Sequence, residues 1–162
     1  MTGHIREKHD GALAGRMDVR VWLRLLSCST IIEKRLRRRF VAQFDTTLPR
    51  FDVLAALDRS PEGVAMGALS RALLVSNGNV TALVRQLESD GMVDTRPSTD
   101  DRRSSIVALT AQGRSHFAEL AAAHHAWIKA MFAGMPGDDL AGLYRLLATL
   151  KGSIGAEDED GE

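Results

Sequence analysis

Between Met66 and Leu109 the spacing of the apolar residues changes from helical to alternating, and that order leaves few folds open. "MGALSRALLVS" places Met66, Leu69 and Leu73 one helical turn apart, and "SNGNVTALVRQLESDG" continues with Val80, Val84 and Leu87 at i, i+4 and i+7. Ser76 is suited to cap the second of these helices, and Gly91 to close it after a charged last turn. The pattern then switches to a period of two. Val93, Thr95 and Pro97 alternate with Asp94 and Arg96, a polar loop intervenes, and Ile106 and Val107 to Leu109 resume the apolar run. This predicts a hairpin with a long turn.

A short helix, a tight turn, a second helix and a hairpin is the order of a winged helix-turn-helix, in which the second helix enters the major groove of DNA. The flanks are helical. From Val19 to Phe44, Trp22, Leu25, Leu26, Cys28, Ile31, Ile32, Leu36 and Phe40 recur at helical spacing. "DTTLPRFDVLAALDRSPEG" has capping threonines, Pro49 for a first turn, and a stop at Ser60-Pro61, with Phe51, Leu54 and Leu57 on its apolar face. Thr110 caps a further helix from Ala111 to about Ala133, and after Gly134, Pro136 and Gly137 a last one runs from Asp138 or Asp139 to about Ser153.

The expected fold is therefore mainly α: a winged helix-turn-helix with long N- and C-terminal dimerisation helices and a two-stranded wing. Residues 1–18 read as a flexible arm and 19–153 as one domain. Within it, 19–48 and 111–153 supply the dimerisation helices and 49–110 the winged helix-turn-helix. The acidic end "EDEDGE" offers nothing apolar to bury, so 154–162 reads as a disordered tail.

The apolar stripe of the second helix of the pair must face the core, which leaves Asn77, Gly78, Thr81, Ala82 and Arg85 on another face. That face is small and polar. Small residues let the backbone approach base edges, while Asn and Arg supply donors for adenine and guanine. A glycine inside a helix costs about 1 kcal/mol against alanine, so Gly78 calls for a reason: close approach to DNA, or a cap adjustment near the helix start. Ser76, Asn77, Asn79, Thr81 and Arg85 are the candidate DNA-binding residues here, although Asn77 and Asn79 also suit local capping. The charged knuckle Ser98 to Arg103 forms the tip of the wing. Arg102 and Arg103 there can reach phosphates or a minor groove, and Asp101 can hold a guanidinium in one rotamer.

At these residues the chain resembles the MarR-type transcriptional regulators. Their wing signature is an aspartate, one residue, an arginine, five residues, then Leu-Thr, matched here by Asp101, Arg103, Leu109 and Thr110. "LSRALLVSNGNVTALVRQLESDGMV" resembles the family's helix-turn-helix from end to end, and the likeness covers residues 19 to 153 by order of elements. It implies a homodimeric regulator of double-stranded DNA. The apolar surplus of "HFAELAAAHHAWIKAMF" and "LAGLYRLLATL" suits such an interface. A two-fold dimer sets its recognition helices about one DNA turn apart, hence a pseudo-palindromic operator. Repression is the expected action, because a bound dimer that overlaps a promoter blocks polymerase.

"TTLPRFDVLAAL" with "VSNGNVT" is similar to a subgroup of MarR-type regulators that respond to aromatic carboxylates or their coenzyme A thioesters. The resemblance implies a small-molecule effector of that class. Arg50 would pair with its anionic group while Trp22, Leu26 and Phe51 bound an apolar slot, the alternative for these aromatics being core packing.

Net charge is zero, but residues 1–50 hold 11 basic against 5 acidic side chains, so the positive end is separable from the acidic tail. The run "EKRLRRR" reads as a solvated helix face or as a set of phosphate contacts. No apolar run approaches the roughly 18 residues of a membrane span, and the charged start lacks a signal-peptide core, so a cytoplasmic location without membrane contact is expected.

Other classes fit less well. Phosphate-cradling loops, nucleophile–base pairs and paired acids at a cleft are missing, so no enzyme activity, catalytic residue or cofactor is expected. Cys28 raises thiol-based redox sensing, but it sits well inside the first helix in an apolar neighbourhood. His116, His124 and His125 are spaced poorly for one metal ion, so none is expected. A winged helix used only for protein contacts would expose apolar anchors where this one is small and polar. A ligand-independent architectural DNA-binding protein remains the main alternative.

Overall fold

The computed structural model describes residues 15–74, 76–98 and 105–159. In chain order these form α1 (Met17–Phe44), α2 (Leu48–Asp58), β1 (Val64–Ala65), α3 (Met66–Leu73), α4 (Asn77–Ser89), β2 (Val93–Pro97), β3 (Ser105–Leu109), α5 (Ala111–Phe132) and α6 (Gly137–Glu159). The chain divides into two compact units after His124, within α5.

The first unit holds the winged helix-turn-helix. Its core is mainly apolar, with Phe40, Val53, Leu54, Leu57, Leu69, Val80, Val84, Leu87, Val93, Val107 and Leu120 essentially out of water and the small polar Thr46 and Ser70 also buried. Phe51 lies at the centre of a ring cluster. Its centroid is 4.9 Å from that of Phe40, 5.7 Å from Phe117 and 4.7 Å from His124. Offset ring pairs at such distances add to the area they bury, so the cluster ties α1, α2 and the first part of α5 together. Caps start the helices as their sequences predict. The Thr47 hydroxyl accepts from the Arg50 N–H at 3.4 Å, with Pro49 in the first turn of α2.

The expected mainly helical winged fold is present, and the two wing strands are joined in the sheet by a third, β1. β1 pairs antiparallel with β3, Val64 opposite Val107 and Ala65 opposite Ile106, giving the order β1-β3-β2. Two residues carry no period, which is why the strand escapes pattern reading. Gly63 makes it possible. Its φ is +92°, and a Cβ there would meet Ile106 Cγ2 at 2.6 Å and the Val107 carbonyl at 2.8 Å.

One joint connects the end of α4, both wing strands and the start of α5. The Thr110 hydroxyl accepts from the Gly113 N–H at 2.9 Å and donates to the Gly91 carbonyl at 2.7 Å, while the Thr110 N–H donates to the Met92 carbonyl at 3.1 Å. Arg114 adds a guanidinium donor to the Leu109 carbonyl at 2.8 Å. These bonds tie the segments together at the crossing, which stiffens it.

Two boundaries and the setting of Cys28 differ from expectation. α1 begins at Met17 rather than Val19, and residues 1–14 of the arm lie outside the described residues. α6 continues past Ser153 to Glu159, into the segment read as tail, because no proline stops it; 160–162 lie outside the described residues. Cys28 is exposed on α1 in the single chain.

The second unit comprises the rest of α5 and α6, joined by a tight turn in which the Met135 N–H donates to the Phe132 carbonyl at 3.0 Å. Leu140, Tyr144, Leu147 and Ile154 fall on one stripe of α6 and are all exposed, Tyr144 at 78%. No helix among the described residues is long and apolar enough to cross a membrane.

Candidate nucleic-acid interface

The interface is built outward from the buried stripe of α4. Val80, Val84 and Leu87 are each within 1% of complete burial, as their spacing predicts. The Ser76 hydroxyl accepts from the Asn79 N–H at 3.4 Å and so caps the helix. With one face fixed inward, Gly78, Asn79, Ala82 and Arg85 are exposed and Thr81 is half-buried. Asn77 opens the helix, but its side chain lies outside the described residues. Nothing stands within 4 Å of where a Gly78 Cβ would be, so no neighbour within the protein demands a glycine there.

The far end of α4 is fixed by charge. The Arg50 guanidinium, on the first turn of α2, donates to the Asp90 carboxylate just beyond Ser89. Arg50 is largely buried and Asp90 half-exposed, so this pair is less screened than a surface one. It makes Arg50 first a brace for α4. An anion reaching Arg50 would have to displace Asp90.

The wing ladder runs from Val93 opposite Leu109 to Pro97 opposite Ser105. Its tip, with Asp101, Arg102 and Arg103, lies outside the described residues. The outer part of the ladder is strapped: Arg96 on β2 donates a guanidinium hydrogen bond to the Glu62 carbonyl at 2.9 Å, reaching the turn that precedes β1.

The four candidate ligand residues are not brought together within one chain. Phe51 is buried in the ring cluster, its alternative reading as a core residue, and Arg50 is held by Asp90. Trp22 is 58% exposed and Leu26 40% exposed on the N-terminal part of α1. At about 1.5 Å rise per residue, Trp22 lies roughly 27 Å along α1 from Phe40, the residue that touches Phe51. In the basic run, Leu36 is buried and Arg37 pairs with Glu33 at 3.3 Å, while Lys34, Arg35 and Arg38 are exposed. Nearby on α2 the Asp52 carboxyl is pushed above its usual range by burial, against the pull of Arg37 and with a further push from Glu33.

Sequence reasoning missed Asp90, Arg96 and the role of His124, which packs against Phe40 and Phe51. No local signal marks them. Each finds its partner only once distant segments meet.

A capped helix that shows water a small polar face, paired with a preceding short helix and followed by a strapped hairpin, defines a winged helix-turn-helix DNA-binding protein. Comparison with known proteins narrows this. The family model described as MarR family matches residues 44–104. The transcriptional activatory protein BadR of Rhodopseudomonas palustris is 36% identical over 118 residues, covering 70% of this chain and 67% of BadR. The crystal structure of a MarR family transcriptional regulator from Silicibacter pomeroyi superposes with a TM-score of 0.74 at 30% identity, covering 91% of this chain and 99% of that one. Streptococcus pneumoniae FabT, solved in complex with DNA, shares the fold at a TM-score of 0.70 and 21% identity, over 86% of this chain and 98% of FabT. The chain belongs to the MarR family and is a DNA-binding transcriptional regulator.

Proposed function

We propose that this protein is a homodimeric, sequence-specific repressor whose operator is pseudo-palindromic and whose grip on DNA is released by an aromatic carboxylate or its coenzyme A thioester. The observation that carries the reading is the face of α4: Val80, Val84 and Leu87 are locked inward, so Thr81, Ala82 and Arg85 stand where base edges can be read. Ser76 and Asn79 at the capped start, with Asn77, complete the base-reading and phosphate-holding set. Asp101, Arg102 and Arg103 supply the wing's share.

The dimer is supported by apolar surface with nothing on it. Leu140, Tyr144, Leu146, Leu147, Leu150 and Ile154 on α6, and Met17, Val21, Trp22 and Leu26 on α1, are exposed in the single chain. Exposed apolar stripes of this kind, one on each unit, are what a two-fold partner covers. The effector class rests on the likeness of 46–57 and 75–81 to the aromatic-acid subgroup. Trp22 and Leu26 are its apolar candidates and Arg50, in competition with Asp90, its anionic handle, groups that only a second copy of the chain could bring together; Phe51 contributes from the core beside Arg50. A ligand releases DNA only if it favours a spacing of the two recognition helices that the operator cannot accept. BadR is named an activatory protein, which favours a second reading in which the same dimer assists transcription from a site outside the polymerase footprint.

Fluorescence anisotropy on the DNA upstream of the protein's own gene, against a scrambled duplex, tests this reading. Titration with aromatic acids and their thioesters is expected to release the upstream duplex with one thioester or acid. Specific binding untouched by every compound removes the effector reading and leaves the regulator. Equal affinity for both duplexes supports the architectural alternative, whose affinity would follow salt and not sequence.

A further inference from the structure

Leu74 is out of place twice over. It ends α3 with φ +54° and ψ +37°, the left-handed conformation that disfavours any residue with a Cβ and that the turn of a helix-turn-helix ordinarily gives to glycine. Its side chain is also 92% exposed, the most exposed of the large apolar residues described. A surface leucine alone is ordinary, and a left-handed residue alone can be a cap compromise. Together they mean that the free protein gains no packing from a side chain that its backbone accommodates at a cost. Such strain is kept where a partner makes use of it.

Position says which partner. Leu74 stands two residues before Ser76, the cap of α4, at the end of the recognition helix that enters the groove first. The neighbouring exposed positions of α4 are small or polar, so among the described residues Leu74 is the one large, fully exposed apolar group at that end; Val75 lies outside them. In the major groove the base edges offer a single apolar feature, the 5-methyl group of thymine. We propose that Leu74 is a specificity-determining residue that packs its isobutyl group against a thymine methyl at one position of each operator half-site. The proposal rests on α4 being the recognition helix.

Deoxyuridine removes only the methyl group and leaves every hydrogen-bonding edge intact, which makes it the probe. Each thymine of the upstream duplex is replaced in turn, and affinity is measured for the wild type, Leu74→Ala and Leu74→Gly. The wild type is expected to lose about fourfold at one thymine per half-site, the amount one buried methyl-sized group contributes. Leu74→Ala is expected to bind thymine and uracil duplexes alike, at the affinity of wild type on uracil. Leu74→Gly is expected to do the same without any fall in Tm, since it relieves the backbone and removes no packing.

A wild type indifferent to every uracil overturns the proposal, as does a Leu74→Ala protein that keeps the full thymine preference. A lower Tm for Leu74→Gly shows that the side chain stabilises the free protein, which also overturns it. Arg85→Ala separates the two levels. If it leaves discrimination between upstream and scrambled DNA unchanged, the recognition-helix reading fails first; if it lowers discrimination while Leu74→Ala does not, only the thymine contact fails.

Discussion

Gly113→Ala is expected to destabilise the protein by about 3 kcal/mol, lowering Tm by roughly 10 °C. Two effects oppose each other at this position. Alanine is the better helix former by about 1 kcal/mol, and Gly113 lies in the first turns of α5. Against that, a Cβ would collide with the Met92 carbonyl, a backbone group and not the end of a flexible side chain. That carbonyl already accepts from the Thr110 N–H at 3.1 Å, which limits its freedom to retreat. The collision wins. Gly152→Ala is the matched control, since nothing stands within 4 Å of its Cβ position on α6 and the propensity gain is unopposed. Thermal unfolding should show the two variants moving in opposite directions. A rise in Tm for Gly113→Ala would mean that the joint between wing and α5 is loose.

Arg85→Ala is expected to reduce discrimination between operator and scrambled DNA by about tenfold to a hundredfold, the range for losing one bidentate base contact. Its side chain is exposed on α4, one position beyond buried Val84. Arg103→Ala, at the wing, should behave differently. It should weaken binding to both duplexes by similar factors and lower the salt slope by about 1, as loss of a phosphate contact does. Anisotropy across a salt series separates the two. Equal losses on both duplexes for Arg85→Ala would remove it from the base-reading set, and an unchanged affinity for Arg103→Ala at every salt would remove the wing from the interface.

What could be read from the chain before its structure depended on how far apart the partners are. The stripe Val80, Val84, Leu87 and the caps at Ser76 and Thr110 act within one or two turns, so spacing alone placed them. The same stripe, by elimination, marked the exposed positions of α4 proposed to face DNA. β1 was invisible because two residues have no period and its existence depends on Gly63 being pressed against β3. The Arg50–Asp90 pair spans 40 residues, and Arg96 reaches 34 residues back to Glu62. Arginine and aspartate at such positions look like solvated charge until the fold joins them. Trp22 and Phe51 are both aromatic and near basic residues, yet the length of α1 keeps them apart in a single chain. Leu74 reads as an ordinary helix residue in "MGALSRALLVS", and only its backbone angles and exposure set it apart.

Hydroxyl-radical footprinting of the protein on the DNA upstream of its own gene tests the central claim, that a two-fold dimer reads an operator with α4 and the wing. The account predicts two protected patches of related, inverted sequence, with centres about 10 base pairs or a small multiple of one helical turn apart. A single unpaired patch, or protection spread evenly over the upstream and scrambled duplexes alike, would contradict it.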